Sequence, residues 1–219
     1  MADKKIKLII FDLDGTLVES RFDIAQSTNF MRSQFSLPAL EQKTVDSYIG
    51  SGLRELVRRA MSDPDTATLD KALGIFQSHY REHCLDKTFL YDGVREALEL
   101  FHGLGRKLAV ATNKKTDLSV KILAGLGVGA LFGVVIGGDG KYRKKPDPEV
   151  LQVIMTQLGA APGETAMVGD SSLDIQAGKN AGVAVTVGLS YGIGDAAGLK
   201  ASGPDFLLGS FSDLKKIFS

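Results

Sequence analysis

The chain has 219 residues, 44% of them hydrophobic, with 26 Lys and Arg balanced by 26 Asp and Glu. That length suits one substantial α/β domain, or a domain carrying a smaller insertion, and zero formal net charge removes the electrostatic footprint of a nucleic-acid binder. The single cysteine, Cys84, excludes an intrachain disulfide and fits a reducing compartment.

No apolar run approaches membrane-spanning length. Residues 1–5 lead straight into an apolar segment and leave no room for a signal peptide, so a cytoplasmic protein without membrane or nucleic-acid partners is expected. Residues 7–11 are too short and too apolar for a surface helix and read as a strand buried on both faces. From 22 to 87 no strand is evident. Apolar residues recur there at helical spacing, first at Leu53, Leu56, Val57, Ala60 and Met61, then at Leu69, Leu73, Phe76 and Tyr80. Pro38 and the run Asp63, Pro64, Asp65 divide this stretch into several helices.

Beyond Gly93 the pattern alternates. Helices are predicted at 93–104, 115–126, 147–159, 172–181 and 211–218, and strands at 107–111, 132–136, 165–169, 183–187 and, briefly, 205–208. Such alternation predicts an α/β fold: a Rossmann-like parallel sheet with helices on both faces, plus a helical cap inserted after the first strand. The core would comprise residues 1–19 and 89–219, and the cap residues 20–88.

Chemistry-bearing residues fall at the strand ends, where such sheets bind ligands. Asp12 and Asp14 follow the first strand and, two residues apart, project to one side of extended backbone. Gly15 then permits a sharp exit. Two like charges held together are costly unless a cation shares them, and Mg²⁺ commonly bridges carboxylates to a substrate phosphate. A second apolar strand ends in Thr112 and Asn113. Arg143, Lys144 and Lys145 precede Pro146, which opens a helix. A third strand ends in Asp170 and Ser171, with Asp174 four residues beyond the first of these.

In this order these four segments resemble the motifs of the haloacid dehalogenase superfamily of aspartate-nucleophile hydrolases, and the resemblance spans nearly the whole chain. It implies a phosphohydrolase. Asp12 would attack phosphorus and form a phosphoaspartate; Asp14 would serve as general acid, then general base. Thr112 and Asn113 would bind phosphoryl oxygens, beside the turn at Gly15 and Thr16. Lys145, the residue directly before Pro146, would neutralise charge on the nucleophile and phosphoryl group, although Lys144 stands beside it. Mg²⁺ would be held by Asp12, Asp170 and the backbone carbonyl of Asp14. Asp174 would orient Lys145 or a metal-bound water, and Ser171 would cap the following helix. An acid at position 14 argues for phosphoryl transfer, because dehalogenating relatives lack it.

Within the superfamily the details closely resemble one branch, the phosphoglycolate phosphatases. It is carried by Tyr91, Asp92, Gly93 and Val94, by the run from Leu108 to Lys114, by Val135 to Asp139, by Lys145, Pro146 and Pro148, by Ser190, Tyr191 and Gly192, and by Tyr48 to Leu53. Three positions depart from that pattern: Ser51 stands where the family commonly has Asn, Asp92 where it has Pro, and the loop Gly140, Lys141, Tyr142, Arg143 differs. These departures bear on the substrate, which cap and loop residues select.

Candidate cap contacts are Gly50, Ser51, Gly52 and Arg54. Arg54, Arg58 and Arg59 read equally as a basic helix face or as a contact for an anionic substrate. His79 and His83, four apart with Cys84 adjacent, have zinc-like spacing without a second ligand pair, and a solvated helix is the expectation. The best match is a Mg²⁺-dependent phosphatase for a small phosphomonoester, with 2-phosphoglycolate leading, acting as monomer or homodimer. A pyrophosphatase, nucleotidase or phosphosugar mutase of the same superfamily is the alternative. A non-catalytic binding protein on this fold is disfavoured by the presence of Asp12, Asp14, Lys145 and Asp170 together.

Overall fold

Strand β1 (Leu8–Phe11) is a run of four fully buried apolar residues at the centre of a parallel sheet. The computed structural model describes residues 6–219, so the reading of residues 1–5 lies outside the described residues. On one side β1 pairs with β4 (Lys107–Ala111), Ile9 opposite Leu108. On the other it pairs with β6 (Thr165–Gly169), Ile9 opposite Ala166. Beyond β4 lies β5 (Val134–Ile136); beyond β6 lie β7 (Val185–Leu189) and β8 (Phe206–Leu208), giving the order β5-β4-β1-β6-β7-β8. Strand order therefore reverses direction at β1, and the crevice at such a switch point is where ligands of open α/β sheets bind.

Alternation along the strands explains why both faces are covered. Leu8 and Ile10 join Ala109, Ala111 and Met167 under α7 (Glu149–Leu158) and α8 (Ser172–Asn180), through Leu151, Ile154, Met155 and Ala177. Ile9 and Phe11 face the opposite way, toward Val94, Leu98 and Phe101 of α5 (Val94–Gly103) and Leu118 and Ile122 of α6 (Thr116–Gly125). Phe11 stacks on Phe211 at 5.7 Å between ring centroids and meets Phe132 edge-on at 6.5 Å.

Between β1 and α5 the chain makes a two-stranded antiparallel ribbon, β2 (Val18–Glu19) with β3 (Phe89–Leu90). All four helices of the insertion lie between these two strands: α1 (Arg21–Ser33), α2 (Gln42–Asp46), α3 (Leu53–Ala60) and α4 (Thr66–His83). Pro38 lies in the break between α1 and α2. Asp65 starts α4 by accepting the Thr68 N–H at 3.0 Å. Buried Asp23 of α1 accepts the Lys87 N–H and the Thr88 hydroxyl at 2.7–3.0 Å, tying the insertion's two ends together. Glu19 accepts from Arg21 and from the Tyr91 hydroxyl, at 2.8 and 2.9 Å, across the ribbon.

Four expectations shift in detail. The strand expected at 183–187 runs Val185–Leu189, because pairing with β6 begins at Ala166 opposite Val185. The strand expected at 132–136 starts at Val134, after a 3-10 turn over Gly129–Leu131. The final helix is split into a 3-10 turn, Phe211–Leu214, and α10 (Lys215–Phe218). A short helix, α9 (Ala196–Ala201), stands where none was expected, started by Asp195, which accepts the Ala197 and Gly198 N–H groups at 3.0 Å.

Candidate active site

Asp12 leaves β1 still in register, its N–H donating to Val168 O at 2.9 Å. The chain then turns tightly: Leu13 O accepts from the Thr16, Leu17 and Val18 N–H groups, and Gly15 adopts φ +83°. A Cβ at Gly15 would lie 2.1 Å from Asp170 Oδ2. Glycine is needed here twice over, for a positive φ that L-residues avoid and for the close approach of the third acid.

Lys145 projects into the same place from the loop before α7. Asn113 holds its backbone at both ends, Oδ1 accepting the Lys145 N–H at 3.1 Å and Nδ2 donating to Lys145 O at 3.3 Å. The buried ammonium donates to Asp174 Oδ1 at 2.5 Å and to Ala111 O at 2.7 Å, and lies 2.8 Å from Asp12 Oδ1. Lys144 turns the other way. A Cβ at Gly52 would lie 2.5 Å from its Nζ, which places it against the Gly50–Gly52 loop and answers which of the two lysines enters the site.

Asp170, at the end of β6, is held by Ile193 and Gly194, whose N–H groups each donate to Oδ2 at 2.8 Å; the Thr16 hydroxyl donates to Oδ1 at 3.3 Å. Asp174 accepts the Ser171 N–H at 3.1 Å and hydroxyl at 2.6 Å on Oδ2, which leaves Oδ1 for Lys145. Ser171 stands at the N-cap position of α8, and the Asp174 side chain contacts both it and Lys145.

Electrostatics follow from this crowding. Asp12 is pushed up to about 6, first by burial and then by Asp174 and Asp14, with Lys145 opposing. Asp170 is pushed up to about 8, again chiefly by burial, with Asp12 and Asp174 adding to it. Burial lowers the Lys145 ammonium, but Asp12 and Asp174 outweigh it and the net shift is upward, so the lysine stays charged. One cation thus faces three buried carboxylates whose ligand oxygens lie within 4.8 Å of one another. Asp12 Oδ1 is buried, with the Lys145 ammonium 2.8 Å away. An all-oxygen donor set with surplus negative charge fits a hard divalent cation.

Not every expected residue converges. The Asp14 carboxylate turns away from this cluster, accepting from Ser20 Oγ at 2.6 Å and from Lys114 Nζ at 2.9 Å on both oxygens. The Asn113 side chain is occupied with Lys145 and with Gly50 O (2.9 Å), so its amide braces two loops and is not free for a phosphate oxygen. Thr112 is buried and lines the pocket, its Oγ accepting the Lys114 N–H at 3.2 Å, which leaves its proton to donate. Gly50 and Gly52 line the pocket; Ser51 and Arg54 do not. The expectation for Arg54 is corrected: its exposed guanidinium pairs with Asp70 of α4 at 2.9 Å on the outer face of the insertion. Arg58 and Arg59 both pair with Glu55, the basic-face reading. His79 stacks between Phe30 and His83 and meets the Ser27 hydroxyl at 3.0 Å, so the pair makes ring and hydroxyl contacts of a helix surface.

Residues that sequence reasoning missed include Ser20, Lys114, Tyr80, Ile193 and Gly194. The only signal for the last two was the glycine-rich stretch beginning at Gly192, where a Cβ would lie 2.3 Å from Asp170. The pocket, lined by Tyr80, Lys114, Ile193 and Gly194 among others, is about 80 Å³ and is closed on its far side by Ile24, Leu53, Leu56 and Phe76 of the insertion.

A parallel sheet with an aspartate pair after its central strand, a lysine reaching the first of that pair and further acids after the next strand is the arrangement of an α/β hydrolase. The chain belongs to the haloacid dehalogenase-like hydrolases, whose family model matches residues 9–187. It is 39% identical over 216 residues to a phosphoglycolate phosphatase of Chromobacterium violaceum, covering 96% of each chain. A phosphoglycolate phosphatase of Vibrio parahaemolyticus is 37% identical, with 99% of this chain and 98% of the relative covered. A crystal structure described as a predicted phosphoglycolate phosphatase, from Haemophilus somnus 129pt, superposes with a TM-score of 0.94 at 34% identity, covering 98% of this chain and 99% of that one.

Proposed function

We propose that this protein is a Mg²⁺-dependent phosphatase that hydrolyses a small phosphomonoester, 2-phosphoglycolate first among them, through a phosphoaspartate on Asp12. The observation that carries this reading is Lys145, fully buried and held between Asp12 at 2.8 Å and Asp174 at 2.5 Å, with Asp170 completing the acidic cluster. Relatives named phosphoglycolate phosphatase, matched over nearly their whole length, support the substrate class.

Mg²⁺ held by Asp12, Asp170 and the Asp14 backbone carbonyl would supply positive charge to the phosphoryl oxygens. Asp12 attacks phosphorus as the ester P–O bond breaks, and Asp14 gives a proton to the leaving alcohol. Water then attacks the phosphoaspartate phosphorus, its proton passes to Asp14, and the bond to Asp12 breaks to release inorganic phosphate. Lys145 offsets the negative charge on nucleophile and phosphoryl group throughout. Thr112 donates its hydroxyl proton to a non-bridging oxygen. Ser20 and Lys114 fix where the Asp14 carboxylate points.

The helical insertion, residues 20–88, acts as a cap that closes over the core of residues 1–19 and 89–219, with its hinge in the β2–β3 ribbon. Closure would exclude bulk water and strengthen each charge interaction inside. A pocket of about 80 Å³ suits a substrate of a few carbons, well below the ~300–1,000 Å³ of drug-sized sites. Such an enzyme would work as a soluble cytoplasmic monomer or homodimer.

The test is phosphate release from 2-phosphoglycolate, pyrophosphate, nucleoside monophosphates and hexose phosphates, with Mg²⁺ and then with excess chelator. Preference for phosphoglycolate, lost on chelation and restored by Mg²⁺, is the expected result. Full activity in chelator would remove the metal, and equal rates across the panel would remove the substrate assignment.

A further inference from the structure

Two polar groups in this pocket have no contact with substrate assigned to them above. Tyr80 of α4 is 2% exposed, and its hydroxyl, which faces the Lys114 ammonium, has no acceptor for its proton. Lys114 follows Asn113 with its side chain only 8% exposed. Two of its three N–H donors go to the Asp14 oxygens at 2.9 Å, and Nζ sits 4.6 Å from the centre of the Tyr80 ring. Both residues line the same cavity as Asp12, Thr112 and Lys145.

An ammonium has donors only, and a phenol hydroxyl facing an ammonium can only turn its proton elsewhere. Both therefore call for an acceptor-only group, and their neighbours Phe76, Leu56 and Leu118 offer none. The phosphoryl group belongs beside Asp12 and Lys145. Lys114 is tied instead to Asp14, the acid that meets the leaving oxygen, so its neighbourhood holds whatever the leaving alcohol carries one or two bonds away. A carboxylate there would accept from both donors.

We propose that Lys114 and Tyr80 form a carboxylate subsite on the leaving-group side, so that the enzyme selects phosphate esters of small 2-hydroxy acids over esters of neutral alcohols. The proposal rests on the phosphatase reading and assigns its substrate selectivity to two residues, one from the core and one from the insertion. Because Tyr80 comes from α4, the subsite is complete only when the insertion lies against the core.

The competing account is that Lys114 serves only to position Asp14. The experiment compares 2-phosphoglycolate with ethyl phosphate, which has a methyl group where the acid has its carboxylate. Tyr80→Phe removes the hydroxyl and leaves the Lys114–Asp14 pair in place; Lys114→Gln removes the ammonium. In each, kcat/KM is measured for both esters with Mg²⁺, and binding of both is measured by calorimetry in the Asp12→Asn background, where no turnover is needed. The ratio of phosphoglycolate to ethyl phosphate should fall about tenfold or more in kcat/KM, largely through KM, and in affinity. Ratios held within about twofold in both variants would overturn the subsite and leave Lys114 a positioning residue. Failure of the wild type to release phosphate from either ester would overturn the phosphatase reading itself, and the binding ratios would still decide the subsite.

Discussion

Replacing Lys145 with Met removes the one buried cation from among three buried acids. Nζ contacts Asp12 Oδ1 at 2.8 Å, Asp174 Oδ1 at 2.5 Å and Ala111 O at 2.7 Å, and the side chain is 2% exposed. Taking one partner from a buried ion pair costs about 3–5 kcal/mol, because the other charge is left uncompensated. For a chain of this size that corresponds to a Tm lower by roughly 6–20 °C at about 2–4 °C per kcal/mol. The loss depends on pH. Asp12 at about 6 and Asp170 at about 8 lie above their unfolded value of 3.8. A raised carboxylate contributes stability that is fully present below the unfolded value and is lost as pH rises through the folded one. Without Lys145, which pulls Asp12 down, these values rise further, so the penalty is large at pH 8 and shrinks toward pH 4. Urea unfolding of metal-free wild type and Lys145→Met at both pH values measures it. A destabilisation under about 1 kcal/mol at pH 8, where even an exposed pair accounts for that much, or one independent of pH, would show that Lys145 does not compensate these buried acids.

Mg²⁺ must displace protons from the same acids, so its stabilisation of the wild type should be larger at pH 8 than at pH 5 in thermal unfolding; equal shifts would count against Asp12 and Asp170 as ligands. Gly15→Ala forces an L-residue to φ +83° and a Cβ to within 2.1 Å of Asp170 Oδ2. It should cost roughly 1–3 kcal/mol and weaken Mg²⁺ binding in calorimetry, and unchanged metal affinity would contradict the close approach. Arg54→Ala loses only an exposed pair with Asp70. Stability should change by less than about 1 kcal/mol, with the KM for 2-phosphoglycolate unaltered; a raised KM would return Arg54 to the pocket.

The central sheet was legible because β1, β4 and β6 bury both faces and so read as continuous apolar runs, and the acids at their ends stand out against that background. Lys145, the residue adjoining Pro146, is the one whose backbone Asn113 braces and whose ammonium lies beside Asp12. What stayed hidden depends on contacts between segments distant in sequence. The β2–β3 ribbon joins pairs of residues about seventy positions apart, too short to leave a periodic signal. α9 has six residues, one of them Gly198, and its start depends on the Asp195 side chain. Arg54 looked like an anion contact because a helix in sequence does not say which face meets the core; Asp70, on the neighbouring helix, decides it. The Asn113 amide belongs to loop bracing for the same reason, its partners Gly50 and Lys145 being supplied by two other loops.

We propose that Asp12 is the nucleophile of a phosphatase for a small acidic phosphomonoester. Phosphate release from 2-phosphoglycolate with Mg²⁺, by wild type and by Asp12→Asn, tests it most directly. The wild type should turn over and the variant should lose at least about a thousandfold, while folding normally because Asn keeps the shape of Asp. Substantial release by Asp12→Asn would contradict the covalent route, and a wild type inert toward 2-phosphoglycolate would contradict the assignment of substrate.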